Sequence, residues 1–159
     1  MHLGEAEQIL KVYRHHPTPF VLLIFKTVVA FLPFYVLLLF LAGSLTISQS
    51  VIAHLIIFAL FVLVITYQSL VYWLDRMVIT NERVINIDWK YLTIRNESEA
   101  LIKDIQDIKT KEKGILAHFN FFDYGSIRLE TASSLISIEF NDAPDPEGIR
   151  KFIYHVKSQ

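Results

Sequence analysis

Hydrophobic and polar positions change rhythm abruptly along this chain at Leu74. Before that point two stretches are apolar on every side: "FVLLIFKTVVAFLPFYVLLLFLA" from Phe20 to Ala42, and "VIAHLIIFALFVLVITYQSLVYWL" from Val51 to Leu74. Each is ~23 residues long, and at about 1.5 Å per residue such a helix reaches about 34 Å, enough for a hydrocarbon core of about 30 Å. Open strands would leave amides unpaired in lipid, so both runs are expected to be helices. The polar stretch 43–50 opens with Gly43 and predicts a turn, hence two antiparallel spans forming a membrane α-helical hairpin.

After Leu74 the period drops to two. "RMVIT" and "RVINID" are expected to be strands with Met77, Ile79, Ile85 and Ile87 inward and Asn86 and Asp88 facing away. Asn81-Glu82 between them suits a tight turn, because Asn tolerates a left-handed backbone. "YLTIRNESEA" predicts a third strand with Leu92 and Ile94 on one face, and "IQDIKTKEK" a fourth. "GILAHFNFFDYG" reads as a turn or short helix. "SIRLET" and "LISIEF" predict a second hairpin, with Ile127, Leu129, Ile136, Ile138 and Phe140 inward. In the last segment the period returns to that of a helix. Asp145 can cap it, Pro146 fits its first position, Glu147 suits its first turn, and Ile149, Phe152, Ile153 and Val156 form one stripe. That stripe must lie against the strands. The soluble half is therefore expected to be mainly β: six or seven strands in a curled antiparallel sheet, closed by a C-terminal helix.

Charge divides the chain at the same place. Between Phe20 and Leu74 the only charged residue is Lys26, which marks a membrane part and a soluble part. Lys26 lies close enough to the start of its span to snorkel to the headgroups. Tyr67, Tyr72 and Trp73 gather where an aromatic belt belongs. Lys26, Tyr72, Trp73 and Arg76 are thus the expected interface anchors. Pro33 should loosen or kink the first helix. Lys11, Arg14 and Lys26 precede or open the first span, Arg76 and Arg83 follow the second, and the connecting turn has no positive charge. The positive-inside rule then places both termini in the cytoplasm, in a multi-pass protein of the cell (inner) membrane. The expected organisation is a cytoplasmic N-terminal segment 1–19, spans 20–42 and 51–74, an extracytoplasmic turn 43–50, and a β domain 75–159. A leader cleaved near Ala42, Gly43 and Ser44 is the competing reading, but the apolar run exceeds an h-region of roughly 7–15 residues.

Taken in order, these segments resemble a known family. "GEAEQILKVYRHHP" before the first span, "YWLDRMVITNERVINID" leaving the second, "IQDIKTKEKGILAHFNFFDYGSIRLET" and "FNDAPDPEGIRKFI" are similar to the bacterial pleckstrin-homology-like, membrane-flanked domain family. The resemblance covers nearly the whole chain. It implies a pleckstrin-homology-like barrel of two near-orthogonal sheets, about seven strands in all, plugged by the C-terminal helix. It implies no particular activity, since the family is defined by its architecture.

Candidate chemistry is sparse. Net charge is −1, so no global field recruits nucleic acid. The absence of cysteine excludes disulfides and thiolate chemistry. No zinc-protease, nucleophile-elbow, Walker or dinucleotide motif occurs, and no small-molecule substrate or cofactor is implied. The histidines are scattered, and neighbours such as His15 and His16 diverge by about 100° on a helix, so no metal site is expected. Asp104, Asp107 and Asp123 read as solvated or turn-forming carboxylates. Lys109, Lys111 and Lys113 alternate along one strand and form the best basic patch for a lipid headgroup, blunted by Glu112. The alternative reading is a solvated strand edge guarded by lysines. Phe119, Phe121, Phe122 and Tyr124 exceed what one short loop buries: two are expected to plug an open end of the barrel, and the remainder form a candidate patch that docks on the membrane surface, the helical hairpin or a partner protein. The function expected is a membrane-anchored binding or scaffolding module that engages a protein partner or a copy of itself. A peripheral sensor of anionic lipid headgroups is the alternative, and a small membrane enzyme or transporter the third reading.

Overall fold

The structure, a computed structural model, describes residues 4, 6–112, 124–131 and 137–158. The chain divides into two compact units, Pro19–Leu70 and the combination of Met1–Thr18 with Val71–Gln159.

The first unit is a helical hairpin of α1 (Pro17–Leu41) and α2 (Ile47–Leu74). Both helices are long and apolar enough to cross a membrane. Their side chains pair in antiparallel order. Thr27 Oγ1 lies 3.0 Å from Gln68 Oε1, Phe31 meets Phe61 edge-on at 5.2 Å between centroids, and Tyr35 meets His54 at 6.0 Å. Pro33 sits inside α1 without ending it. The turn is shorter than expected because Thr46 starts α2 early. Its Oγ1 accepts from Gln49 N at 3.4 Å, while Gln49 Oε1 accepts from Thr46 N at 3.0 Å. This reciprocal capping box satisfies two free amides.

The second unit is mainly β. Strands β1 (Ile9–Arg14), β2 (Arg76–Thr80), β3 (Arg83–Lys90) and β4 (Ile94–Leu101) form one antiparallel sheet in that order. Strands β5 (Ile105–Glu112), β6 (Tyr124–Thr131) and β7 (Ser137–Pro144) form another, followed by α3 (Pro146–Lys157). The expected strand number and the terminal helix are present. Among the described residues no ladder joins the two sheets, so the domain is a pair of packed sheets and not a closed barrel. At the corner after β1, His16 N donates to Asp142 O at 2.7 Å, where Asp142 itself turns with φ 52.

Three features depart from the sequence pattern. First, residues 9–14, within the segment 1–19 read as a flanking lead-in, form an edge strand paired to β2 from Ile9↔Thr80 to Arg14↔Arg76. Second, the inward faces of β2 and β3 are reassigned. The register Met77↔Asn86, Val78↔Ile85 and Ile79↔Val84 places Met77, Ile79, Val84 and Asn86 toward the other sheet. Val78, Ile85 and Ile87 lie on the opposite face with Trp89 beside them. Asn86, expected to face away, instead donates Nδ2 to Glu139 O at 3.1 Å across the two sheets. Both faces of these strands are buried, so apolar alternation carried no information about which face was inner. Third, the Asn81-Glu82 turn has no left-handed residue. Thr80 Oγ1 holds it by accepting from Arg83 N at 2.9 Å and Glu82 N at 3.2 Å.

Between the sheets, Ile105, Ile108, Ile127, Leu129, Ile138 and Phe140 are buried with Met77 and Ile79, and α3 covers them with Ile149 and Ile153. Phe152 and Val156 pack at the margin. The helix starts as expected: Asp145 Oδ1 accepts from Gly148 N at 2.8 Å, with Pro146 at the first position. Of the residues expected inward, Ile136 lies outside the described residues.

Candidate functional site

The residues with the strongest mutual interactions sit where the N-terminal segment meets the β2–β3 turn. Thr80 and Arg83 project from the same face of the sheet as Val78 and Ile85, because they flank a two-residue turn. Glu7, whose side chain is 1% exposed, inserts between them. Its Oε1 accepts from Thr80 Oγ1 at 2.8 Å and from Arg83 Nε at 2.9 Å; its Oε2 accepts from Arg83 Nη2 at 2.8 Å and from Gly4 N at 3.0 Å. Arg83 also bonds Glu99 across the sheet. The two-pronged Arg83 contact draws the Glu7 carboxyl from its ordinary 4.5 down to about 2, against the opposing effect of burial. In return Glu7 holds the Arg83 guanidinium above its ordinary value. Asn81 completes the join, its Oδ1 accepting from Gln8 N at 2.8 Å and its backbone N donating to Gln8 O at 3.2 Å. Arg83, the basic residue nearest the first turn, is thus committed within the fold.

A second cluster lies at the other end of the same sheet, where β1 runs into α1 and α2 runs into β2. His15 stacks on Phe140 at 4.8 Å, its Nδ1–H donates to Asn141 O at 2.5 Å, and its Nε2 stands 3.5 Å from Asp75 Oδ2. The two ring nitrogens therefore face a backbone carbonyl and a carboxylate, which hold the ring between the two sheets. Tyr72 Oη donates to His16 O at 2.5 Å, and the His16 ring stacks on Tyr124 at 5.7 Å. The Arg14 guanidinium lies over the exposed Trp73 ring at 5.3 Å. No group of three His, Asp or Glu with metal-binding geometry occurs among the described residues.

The sequence-predicted residues distribute as follows. Tyr72, Trp73 and Arg76 gather around the helix exit; Trp73 and Arg76 are exposed and Tyr72 is half-buried. Lys26 lies on the exposed face of α1. Lys109 and Lys111 are both exposed on β5, but Lys109 Nζ donates to Glu130 at 2.7 Å and 2.8 Å. That contact keeps the Glu130 carboxyl below its ordinary range. Arg128 lies opposite Lys109 and Glu139 opposite Arg128, and Arg128 Nε also stands 3.8 Å from Glu130, so the cations of this face stand among carboxylates. Tyr124 is half-buried against His16. Lys113, Phe119, Phe121 and Phe122 lie outside the described residues.

One exposed feature escaped the sequence reading. The turn between β3 and β4 presents Tyr91 at 67% exposure, Leu92 at 37% and Ile94 at 51%. Tyr91 holds φ 63, a left-handed conformation. The alternation of Leu92 and Ile94 in "YLTIR" predicts one strand face, and a strand reading implies burial for every second position.

No protein-family model matches the chain, and no curated protein does. Solved structures similar to it include two from Shewanella. One is a DUF1696 family protein with a pleckstrin-homology domain from Shewanella loihica PV-4, at 14% identity and TM-score 0.45, covering 98% of this chain and 85% of that one. The other is a pleckstrin homology domain from Shewanella amazonensis SB2B, at 14% identity and TM-score 0.45, covering 99% of this chain and 89% of that one. Both are bacterial pleckstrin-homology proteins.

Proposed function

We propose that the chain is a membrane-anchored binding or scaffolding module, with α1 and α2 spanning the bilayer and the β domain on the cytoplasmic side. The reading assigns it no catalysis. The observation that carries it is the pairing of β1 with β2 across the two apolar helices. Arg14 lies opposite Arg76 in that ladder, so both covalent connections to the helices leave from one end of one sheet. The β domain is thus built from chain on both sides of the helical hairpin, which suits a module presented at a membrane. Lys11, Arg14 and Arg76 flank the helices, and Lys26 lies in the N-terminal half of α1, in accord with the positive-inside rule.

The chain has no cysteine, so single cysteines report topology cleanly. Gly43→Cys, at a position with open space around it, should react with an impermeant maleimide in intact cells, while Ser158→Cys should react only after permeabilisation. The reverse pattern would sink the assigned orientation. Crosslinking and pull-down of the intact protein from membranes then separates self-assembly from binding of a protein partner. Headgroup recognition through Lys109, Lys111 and Lys113 is the less favoured reading, because Glu130 already neutralises Lys109.

A further inference from the structure

Strand β3 outruns β2. Its last pair with β2 is Ile87 opposite Arg76, yet Asp88, Trp89 and Lys90 continue, paired only with Asn96, Arg95 and Ile94 of β4. At about 3.3 Å per residue this two-stranded arm projects about 10 Å past the point where the chain leaves α2. β2 runs away from that exit and β3 runs back toward it, so the arm extends from the end of the sheet that carries both helix connections. Its base is fixed there: Trp89 N donates to Asp75 Oδ1 at 2.7 Å, one residue after Leu74. An isolated two-stranded arm is weak in water and gains nothing by exposing large apolar side chains. This one carries Tyr91, Leu92 and Ile94 at its tip, all exposed. Tyr91 occupies a left-handed conformation that Gly or Asn would hold with less strain, so local backbone preference does not account for the aromatic ring.

The tip combines an amphipathic ring, two aliphatic side chains and an exposed Lys90, with Trp89 behind them. That is the chemistry of the headgroup–acyl boundary of a bilayer. Arg95 is paired with Glu97 at 2.7 Å and Asp88 offsets Lys90, so the contact is driven by apolar and aromatic burial more than by charge. We propose that the β3–β4 tip is an interfacial foot, seated in the bilayer leaflet from which α2 emerges. The proposal rests on α1 and α2 being membrane spans.

The test uses the full chain in phosphatidylcholine–phosphatidylglycerol vesicles, with an environment-sensitive fluorophore on a single cysteine. Leu92→Cys reports the foot, Leu63→Cys the middle of α2, and Glu82→Cys the opposite end of the sheet. The Leu92 probe should be quenched by lipids spin-labelled near the headgroup, at least about threefold less quenched by aqueous iodide than the Glu82 probe, and nearly insensitive to salt. Adding Tyr91→Gly, which relieves the backbone, should raise iodide access at 92 and leave the Leu63 signal unchanged. If Leu63 is quenched by deep spin labels while Leu92 is as open to iodide as Glu82, the foot is wrong and the anchor stands. If Leu63 itself is not reached by lipid labels, the anchor reading fails and the foot with it. Shielding of Leu92 from iodide without lipid quenching would mean a protein contact, which also overturns the proposal.

Discussion

A carboxylate is expensive to bury unless donors surround it, and Glu7 has four polar contacts from Arg83, Thr80 and Gly4. Replacing it with alanine removes those acceptors and should destabilise the β domain by about 2 kcal/mol, measured as the shift of the thermal or urea transition. The pH dependence has a definite sign. The Glu7 carboxyl lies at about 2 in the fold against 4.5 ordinarily, so its stabilising contribution is complete above about 4.5 and is lost as the pH falls toward about 2. The melting temperature of the natural chain should therefore drop more steeply between pH 5 and pH 3, roughly the working part of that window, than that of Glu7→Gln. Parallel profiles would show that the carboxylate is not coupled to folding. At the same scale, Thr80→Val combined with Glu7→Ala should lose less than the sum of the two single variants, because both act on one network.

Elements in this domain are joined by close approaches that tolerate little added volume. At Gly125, the second residue of β6, a Cβ would stand 2.2 Å from Lys111 O and 2.9 Å from Pro146 Cγ. Strand β5 and the start of α3 both press on that position. Gly125→Ala should destabilise by at least about 2 kcal/mol by forcing backbone apart; an unchanged denaturation midpoint would mean that the three elements do not pack this tightly. α3 depends on its cap as well. Asp145 bonds Gly148 N from a left-handed backbone at φ 46, so Asp145→Ala should lose about 1 kcal/mol from the missing cap, with added strain at that φ. Asp145→Asn should recover most of it, and circular dichroism of the helix during urea unfolding distinguishes the two.

For the whole molecule the consequential fact is the inserted helical hairpin. Glu7 and Thr80 are 73 residues apart in sequence and 2.8 Å apart in the fold. A fragment of residues 75–159 therefore lacks an edge strand, the Tyr13 contribution to the core and the Glu7 network. It should be poorly folded and prone to pair through the uncovered edge of β2. Joining residues 1–16 to 75–159 through a short Gly/Ser linker replaces the helices with a loop across an antiparallel pair about 5 Å wide. That chimera should give a dispersed amide NMR spectrum, and the fragment should not. Equal behaviour of the two would mean that β1 adds nothing to the domain.

Much of the local structure was legible in the residue pattern. The two apolar runs could only be helices in lipid, and the single stripe of Ile149, Phe152, Ile153 and Val156 required a helix packed on strands. The Ile127–Leu129 and Ile138–Phe140 alternation marked a hairpin with one buried face. The candidate site was less legible. Lys109 looked available until the fold set Glu130 beside it. Leu92 and Ile94 read as one strand face in the sequence, whereas β3 runs past β2 and leaves them exposed beside Tyr91. Residue order dictates what depends on neighbours a few positions apart: helix, strand, cap and the division between apolar and charged halves. Which face of β2 and β3 is inner, that β1 completes their sheet, and which charges are already paired emerge from the folded arrangement. Those outcomes depend on strand register and on contacts between residues far apart in the chain, and hydrophobic periodicity contains neither.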